Sequence, residues 1–200
     1  VIKAAYSSIK NECELVGLGV GAPNGNFHNG TVEYAVNLNW DGIIPLADML
    51  QKYVEVPAFL TNDANAAAIG EMVYGGAKNM KDFIMITLGT GLGSGIVVNG
   101  ELVYGHDGFA GELGHVTVKE NGRECGCGRR GCLETYASAT GIVKTVAELL
   151  ALYRIESSLK DVPYNQLTSK MICEAAQQKD PIALMAFDET AKTLGKVFAD

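Results

Sequence analysis

One imidazole and three thiols crowd a single stretch of this 200-residue chain: His115, Cys125, Cys127 and Cys132, the last three drawn from five cysteines in all. Three thiolates and one imidazole make the donor set that zinc takes in tetrahedral structural sites. Gly126, Gly128 and Gly131 bracket the later cysteines, as a loop wrapped tightly round an ion requires. A closed shell of four protein ligands leaves no position for water, so the ion is expected to orient neighbouring groups and to leave the chemistry to others. Those groups are close at hand. Glu112 and His115 are three residues apart and Glu134 follows Cys132 by two, so one folded loop can aim all three at a hydroxyl-rich ligand.

A second chemical feature is the glycine-rich run from Ile86 to Gly95, Ile-Thr-Leu-Gly-Thr-Gly-Leu-Gly-Ser-Gly. Gly89, Gly91 and Gly93 let backbone N–H groups approach an anion, and Thr90 and Ser94 add hydroxyls, which suits a phosphate cradle. The run lacks the Gly-Lys-Ser/Thr ending of a Walker loop, and a hairpin follows it where a dinucleotide fingerprint would open a helix. The third feature is Asn62-Asp63 at a strand-to-helix junction, the edge at which α/β proteins present reactive groups. The local use of Asp63 is to cap the helix. Its catalytic use is to accept the proton of a substrate hydroxyl as that oxygen attacks phosphorus. The Asn62 amide carries the donor and acceptor that read a sugar hydroxyl.

The elements that must position these groups alternate between strand-like and helix-like patterns, giving an α/β fold. A helix is expected over residues 1–12 and strands over 15–20 and 31–36. A helix over 45–54 and a strand over 58–60 follow. Thr61-Asn62-Asp63 caps a helix that runs over 64–74 and ends at Gly75-Gly76. A new β unit begins at Phe83, and Asn99-Gly100 suits the type I′ turn of a hairpin over 96–104. Beyond the cysteine loop the chain reads as helical, with Asp180-Pro181 supplying the N-cap and first position of the last helix. A domain boundary is placed near residue 80, giving 1–79 with the candidate base and 80–200 with the phosphate and cysteine loops. The 48% hydrophobic content suffices for a core, and the net charge of −7 argues against a nucleic-acid face. No apolar run approaches a membrane span of about 20 residues. No signal-peptide layout opens the chain, and the odd cysteine count speaks against a disulfide framework, so a reducing cytoplasm is the expected compartment.

Taken together, Gly19-x-Gly-x-Pro, Asn62-Asp-Ala-Asn-Ala-Ala-Ala68, Leu88-Gly-Thr-Gly-Leu-Gly-Ser-Gly95, Glu112-Leu-Gly-His115 and Cys125-Gly-Cys-Gly-x-x-Gly-Cys-Leu-Glu134 resemble the ROK family of sugar kinases and repressors, its bacterial glucokinases above all. The resemblance implies two ribonuclease-H-like lobes, each truncated here, with an active cleft between them. It makes Asp63 the general base on the sugar 6-hydroxyl. It assigns Asn62, Glu112, His115 and Glu134 to the sugar hydroxyls, with Asn37 as a further contact. His115 would serve twice, one ring nitrogen on zinc and the other on sugar. The co-substrate implied is ATP with Mg²⁺, the phosphates resting on Gly89, Thr90, Gly91 and Gly93, and full-length relatives commonly dimerise. The family's N-terminal Asp-x-Gly-Gly-Thr phosphate hairpin and its late adenosine-binding turn are not in the sequence, so the chain reads as a piece of a longer protein with most of the magnesium site outside it.

Three functions compete at this point. The first is an ATP-dependent hexose kinase, with glucose ahead of mannose, fructose, N-acetylmannosamine and N-acetylglucosamine. The second is a sugar-responsive transcriptional repressor of the same family. The third, a zinc-ribbon-like interaction module, leaves Asn62-Asp63 and the Gly-Thr-Gly loop without a purpose.

Overall fold

The computed structural model describes residues 2–35 and 38–199. The chain packs as two compact units: residues 1–85 with 94–111, and residues 86–93 with 112–200. Where a single cut near residue 80 was expected from sequence, the units interleave, because the chain from Ser94 to Gly111 packs with the first.

The first unit opens with α1 (Ile2–Ile9) and then β1 (Leu18–Gly21), which pairs in parallel with β5 (Ala58–Thr61) in the register Leu18↔Ala58 to Gly21↔Thr61. Between these strands lie β2 (Gly25–Asn26), β3 (Thr31–Glu33) and β4 (Ile43–Ile44), an antiparallel set, and α2 (Leu46–Val54). Val32, Ala35, Ala47, Ala58 and Leu60 close over one another as the core of this layer. β3 stops earlier than the alternating pattern suggests. Tyr34 turns to φ 50° and donates its N–H to the Gly42 carbonyl at 2.9 Å, which takes the backbone off the strand path. α1 likewise ends before residue 12, and β1 starts at Leu18 rather than Leu15.

From β5 the chain passes directly into α3 (Asp63–Tyr74), with Asn62 as the N-cap. Ala64, Asn65 and Ala68 form its buried face. The expected hairpin is present: β7 (Leu92–Val98) pairs with β8 (Glu101–Leu102) through Asn99 and Gly100, at φ 55° and 81°, the doubly positive geometry of a type I′ turn. Before it, β6 (Phe83–Leu88) and then β7 each lend residues to both units.

The second unit is mainly helical. A single 3₁₀ turn at Leu113–His115 leads into the cysteine loop, which carries only two isolated bridges, Thr117↔Cys132 and Glu124↔Arg130. After it come α4 (Glu134–Ala137), α5 (Ala139–Leu152), α6 (Ser169–Gln177) and α7 (Pro181–Ala199). Ile142, Val146 and Leu149 recur on one face of α5 and pack with Ile172 of α6 and Ile182, Ala183 and Ala186 of α7, as the helical period requires. No helix among the described residues is long and apolar enough to cross a membrane.

α7 shows how its start is fixed. Asp180 Oδ1 accepts the N–H groups of Ile182 and Ala183 at 3.0 and 3.1 Å, while Oδ2 accepts the Ser158 N–H and hydroxyl at 2.7 and 2.9 Å. Pro181 fills the first helical position, where no donor is needed. Burial pushes the Asp180 carboxyl up, but these donors outweigh it and hold it below the ordinary carboxylate value. A depressed folded value means that the stabilisation is complete above the unfolded pKa of about 3.9 and fades as pH falls through the folded one. Asp180→Ala is expected to cost about 1–2 kcal/mol near neutrality, and the difference is expected to shrink as pH falls below about 3.9, as read by urea unfolding at neutral and acid pH.

Candidate functional site

In the first unit the catalytic candidate sits where a parallel strand hands over to a helix. β5 ends at Thr61, Asn62 takes the extended N-cap conformation, and Asp63 is the first residue of α3. The Ala64 N–H is received by Asn62 Oδ1 at 2.8 Å and by Asp63 Oδ1 at 2.9 Å, so both side chains share one donor of the helix start. Asp63 is exposed beside the half-buried Asn62. The capping and catalytic uses of these residues are compatible, since the shared donor fixes the direction in which the carboxylate is presented. Asn37, the further sugar contact expected from the resemblance, lies outside the described residues.

The second unit gathers the remaining candidates. His115 Nδ1 is 3.6 Å from Cys125 Sγ, Cys127 Sγ is 3.7 Å from Cys132 Sγ, and one donor atom from each of the four lies within 4.8 Å of all the others. Ligands about 2.3 Å from a tetrahedral zinc are about 3.8 Å apart, so the cluster has the size of the cage that such an ion fills. The chemistry of the donors agrees. Burial pushes the Cys125 thiol up to about 12 and raises Cys132 as well. Burial also raises Cys127, but the backbone and side-chain donors of Arg129, with hydrogen bonds from the other two thiols, hold it at about 6. Buried thiols that resist ionisation this strongly need a cation before they can become thiolates. Nδ1 faces the cysteines, which leaves Nε2 as the ring nitrogen for an outside partner.

Glu134 joins this cage to the glycine run. Its Oε1 lies 3.3 Å from Cys125 Sγ and 4.0 Å from His115 Nδ1, and its Oε2 accepts the Leu92 N–H at 3.2 Å. The carboxylate lies so close to Gly91 that a Cβ there would meet Oε2 and turn the carboxylate aside. The start of α5 holds the same run from its other end, where Ala139 N–H donates to Gly89 O and Thr140 Oγ1 to Thr90 O, both at 2.9 Å. Gly93 lies within β7, and Glu112 opens the 3₁₀ turn whose last residue is His115. Beside Thr90 the unit has a cavity of about 510 Å³, bordered by Thr140, Lys144, Tyr164, Thr168 and Ser169.

The structure therefore brings His115, the three cysteines, Glu134 and the Gly89–Gly93 part of the glycine run together within one unit and sets Asn62-Asp63 on the other. Ala139 and Thr140 were not anticipated from sequence. The only signal for them was the cap Ser138, whose hydroxyl accepts the Gly141 N–H at 3.0 Å and so starts α5 at that point.

The sequence model of the ROK family matches residues 1–200. The glucokinase of Halalkalibacterium halodurans is 41% identical over 194 residues, covering 96% of this chain and 58% of its own length. Among solved structures, a ROK family glucokinase from Streptomyces griseus in complex with glucose and AMPPNP is similar at TM-score 0.77 and 37% identity, covering 100% of this chain and 65% of that one. A ROK family transcriptional regulator, a homologue of the E. coli MLC protein, is similar at TM-score 0.85 and 28% identity, covering 99% of this chain and 50% of that one. The chain spans less than two thirds of these relatives. Its mixed α/β fold matches theirs.

The donor cage itself can be tested without any substrate. Gly131 is held at φ 78°, and a Cβ there would collide with the Lys119 carbonyl, so Gly131→Ala cannot keep the loop's path. Adding a divalent thiophilic ion to chelator-treated protein is expected to raise its melting temperature, and Gly131→Ala is expected to abolish most of that rise in the same scan.

Proposed function

The chain belongs to the ROK family, and from that premise we propose that the protein phosphorylates a hexose at its 6-hydroxyl with ATP, glucose being the substrate. The observation that carries this reading is the exposed Asp63 carboxylate just past the carboxyl end of β5, aimed by the Ala64 N–H, the second of its own helix. Asp63 accepts the proton of the 6-hydroxyl as that oxygen attacks the γ-phosphorus, a task that needs a carboxylate and little covalent chemistry. Asn62, Glu112, His115 and Glu134 take the other sugar hydroxyls, with Asn37 as a further contact. Paired donors and acceptors of this kind discriminate hydroxyl patterns because an unmatched buried group goes unsatisfied.

Gly89, Thr90, Gly91 and Gly93 cradle the phosphates of ATP, whose Mg²⁺ neutralises the developing charge. The cavity beside Thr90 has room for the nucleoside end. His115, Cys125, Cys127 and Cys132 hold a structural zinc, which supplies rigidity and fixes the His115 tautomer. The resemblance to the glucose complex supports the choice of sugar, and the two-lobe architecture of the actin and hexokinase type is part of the same reading. We place the protein in the cytoplasm as a homodimer.

Asp63→Asn is expected to lower turnover by about 10²–10⁴ while the sugar KM moves little, since the amide keeps the shape and loses the proton acceptor. A coupled ADP assay checks this, and unimpaired turnover would remove Asp63 from the role of base.

A second reading, a sugar-responsive repressor, is favoured by the similarity to the transcriptional regulator at TM-score 0.85. Thermal unfolding with glucose, mannose, fructose, N-acetylglucosamine and N-acetylmannosamine, followed by the ADP assay, separates the two. Both readings expect one sugar to stabilise the fold, by about 2.7 kcal/mol at a hundred times its Kd, and only the kinase then releases ADP.

A further inference from the structure

Arg123 lies in the cysteine loop, two residues before Cys125, yet its side chain leaves the loop and crosses to α5. The side chain is only 10% exposed, and its guanidinium places all five of its N–H donors. Nε and Nη2 grip the Glu148 carboxylate as a fork at 2.8 and 2.7 Å, and Nη2 also reaches Thr145 Oγ1 at 2.9 Å. Nη1 donates to the carbonyls of Thr135 and Gly141 at 2.7 and 3.1 Å. The group lies 4.4 Å over the Tyr136 ring, and the Arg123 backbone N–H donates to the Tyr136 hydroxyl at 3.0 Å. Gly141, Thr145 and Glu148 follow one another at helical spacing, so one face of α5 supplies three of these acceptors.

These contacts answer a question raised by α4. That helix has four residues, begins at Glu134 and has no side-chain cap. A single turn does not sustain itself, because nucleation fixes several residues for one hydrogen bond. An ion in the cage would fix Cys132 Sγ, but Glu134 lies two residues further on. Arg123 holds the turn from its far side, through Thr135 and Tyr136, the residues that follow Glu134. Gly141 completes the corner, since a Cβ there would lie 2.7 Å from the Tyr136 carbonyl carbon.

We infer that Arg123 is a positioning residue for Glu134, a brace from the cysteine loop to α5 that sets the direction of the Glu134 carboxylate and through it the affinity for sugar. The inference rests on the reading that Glu134 binds a sugar hydroxyl. Lysine cannot replace the brace, because one ammonium cannot reach a carboxylate, a hydroxyl and two carbonyls in the geometry of a planar fork.

The test uses zinc-loaded protein, wild type, Arg123→Lys and Glu148→Gln, well below their melting temperatures. Three quantities are measured: zinc per chain, glucose affinity by calorimetry, and the KM values of sugar and ATP. Arg123→Lys is expected to keep its zinc, to lose about tenfold or more in glucose affinity, and to leave the ATP KM within about twofold. Glu148→Gln, which leaves the other acceptors in place, is expected to lose about two- to threefold. Full zinc with unchanged glucose affinity in both variants would overturn the inference, as would a parallel loss of zinc, sugar and ATP binding, the mark of general unfolding. Should Arg123→Lys fail to fold, Glu148→Gln decides alone, and unchanged glucose affinity there would overturn the brace. Wild-type protein that binds no hexose would instead overturn the sugar-site reading, and with it the premise of the brace, before any variant is compared.

Discussion

Three thiols and an imidazole converge in a loop that has almost no regular secondary structure of its own. This is the constraint on which the second unit turns. Cys125 and Cys132 are buried and resist ionisation while the exposed Cys127 ionises readily, and neighbouring thiolates would repel one another, so the cluster is electrostatically incomplete without a cation. The backbone around it is joined by turn hydrogen bonds, among them Val118 N–H to Gly131 O and Gly131 N–H to Arg123 O at 2.8 Å and Cys125 N–H to Arg129 O at 2.9 Å, but it forms no strand or helix between His115 and Glu134. Two side-chain cross-links add to the order that these turns provide. The donor cage is one and the Arg123 brace is the other.

From that constraint the rest follows by short steps. His115 ends its 3₁₀ turn against the cage, and Cys132 delivers the chain to Leu133, which is fully buried in a small core with Leu92 and Ala137. Glu134 then reaches the Leu92 N–H and lies against Gly91, while the start of α5 holds Gly89 and Thr90. The glycine run is thus fixed at both ends by the element that follows the cysteine loop. A run free to wander would lose the ordering on which a phosphate cradle depends.

What was legible in the sequence is what short-range physics decides. Asn62 caps α3, Asn99-Gly100 makes its turn, and Asp180-Pro181 starts α7, each because a side chain or a fixed φ acts within four residues. The four donors were legible for another reason, since few other uses explain three cysteines and a histidine at that spacing. The early end of β3 at Tyr34 was not legible, because it depends on a hydrogen bond to Gly42 across the intervening loop. Nor was the role of Arg123, whose partners range from Thr135 to Glu148. Its sequence context, next to Gly122 and Glu124, reads as a solvated loop. The division of labour of Glu134, one oxygen towards the cage and the other on the glycine run, also needed the fold, since Leu92 lies far back in the chain.

The two units contribute to the proposed reaction by different physical means. Asp63 stands on a twelve-residue helix entered directly from a paired strand, so its direction is encoded locally and needs no ion. The groups of the second unit proposed to read hydroxyls stand on a 3₁₀ turn and a single helical turn, so their direction is borrowed from cross-links. A sugar-sensing regulator requires only the hydroxyl readers. Proton removal at a reacting oxygen requires a carboxylate held in one direction, and a rigid helix start supplies that more reliably than a loop does. The proposed base thus stands on a locally determined element, and on that ground the kinase reading is placed ahead of the repressor.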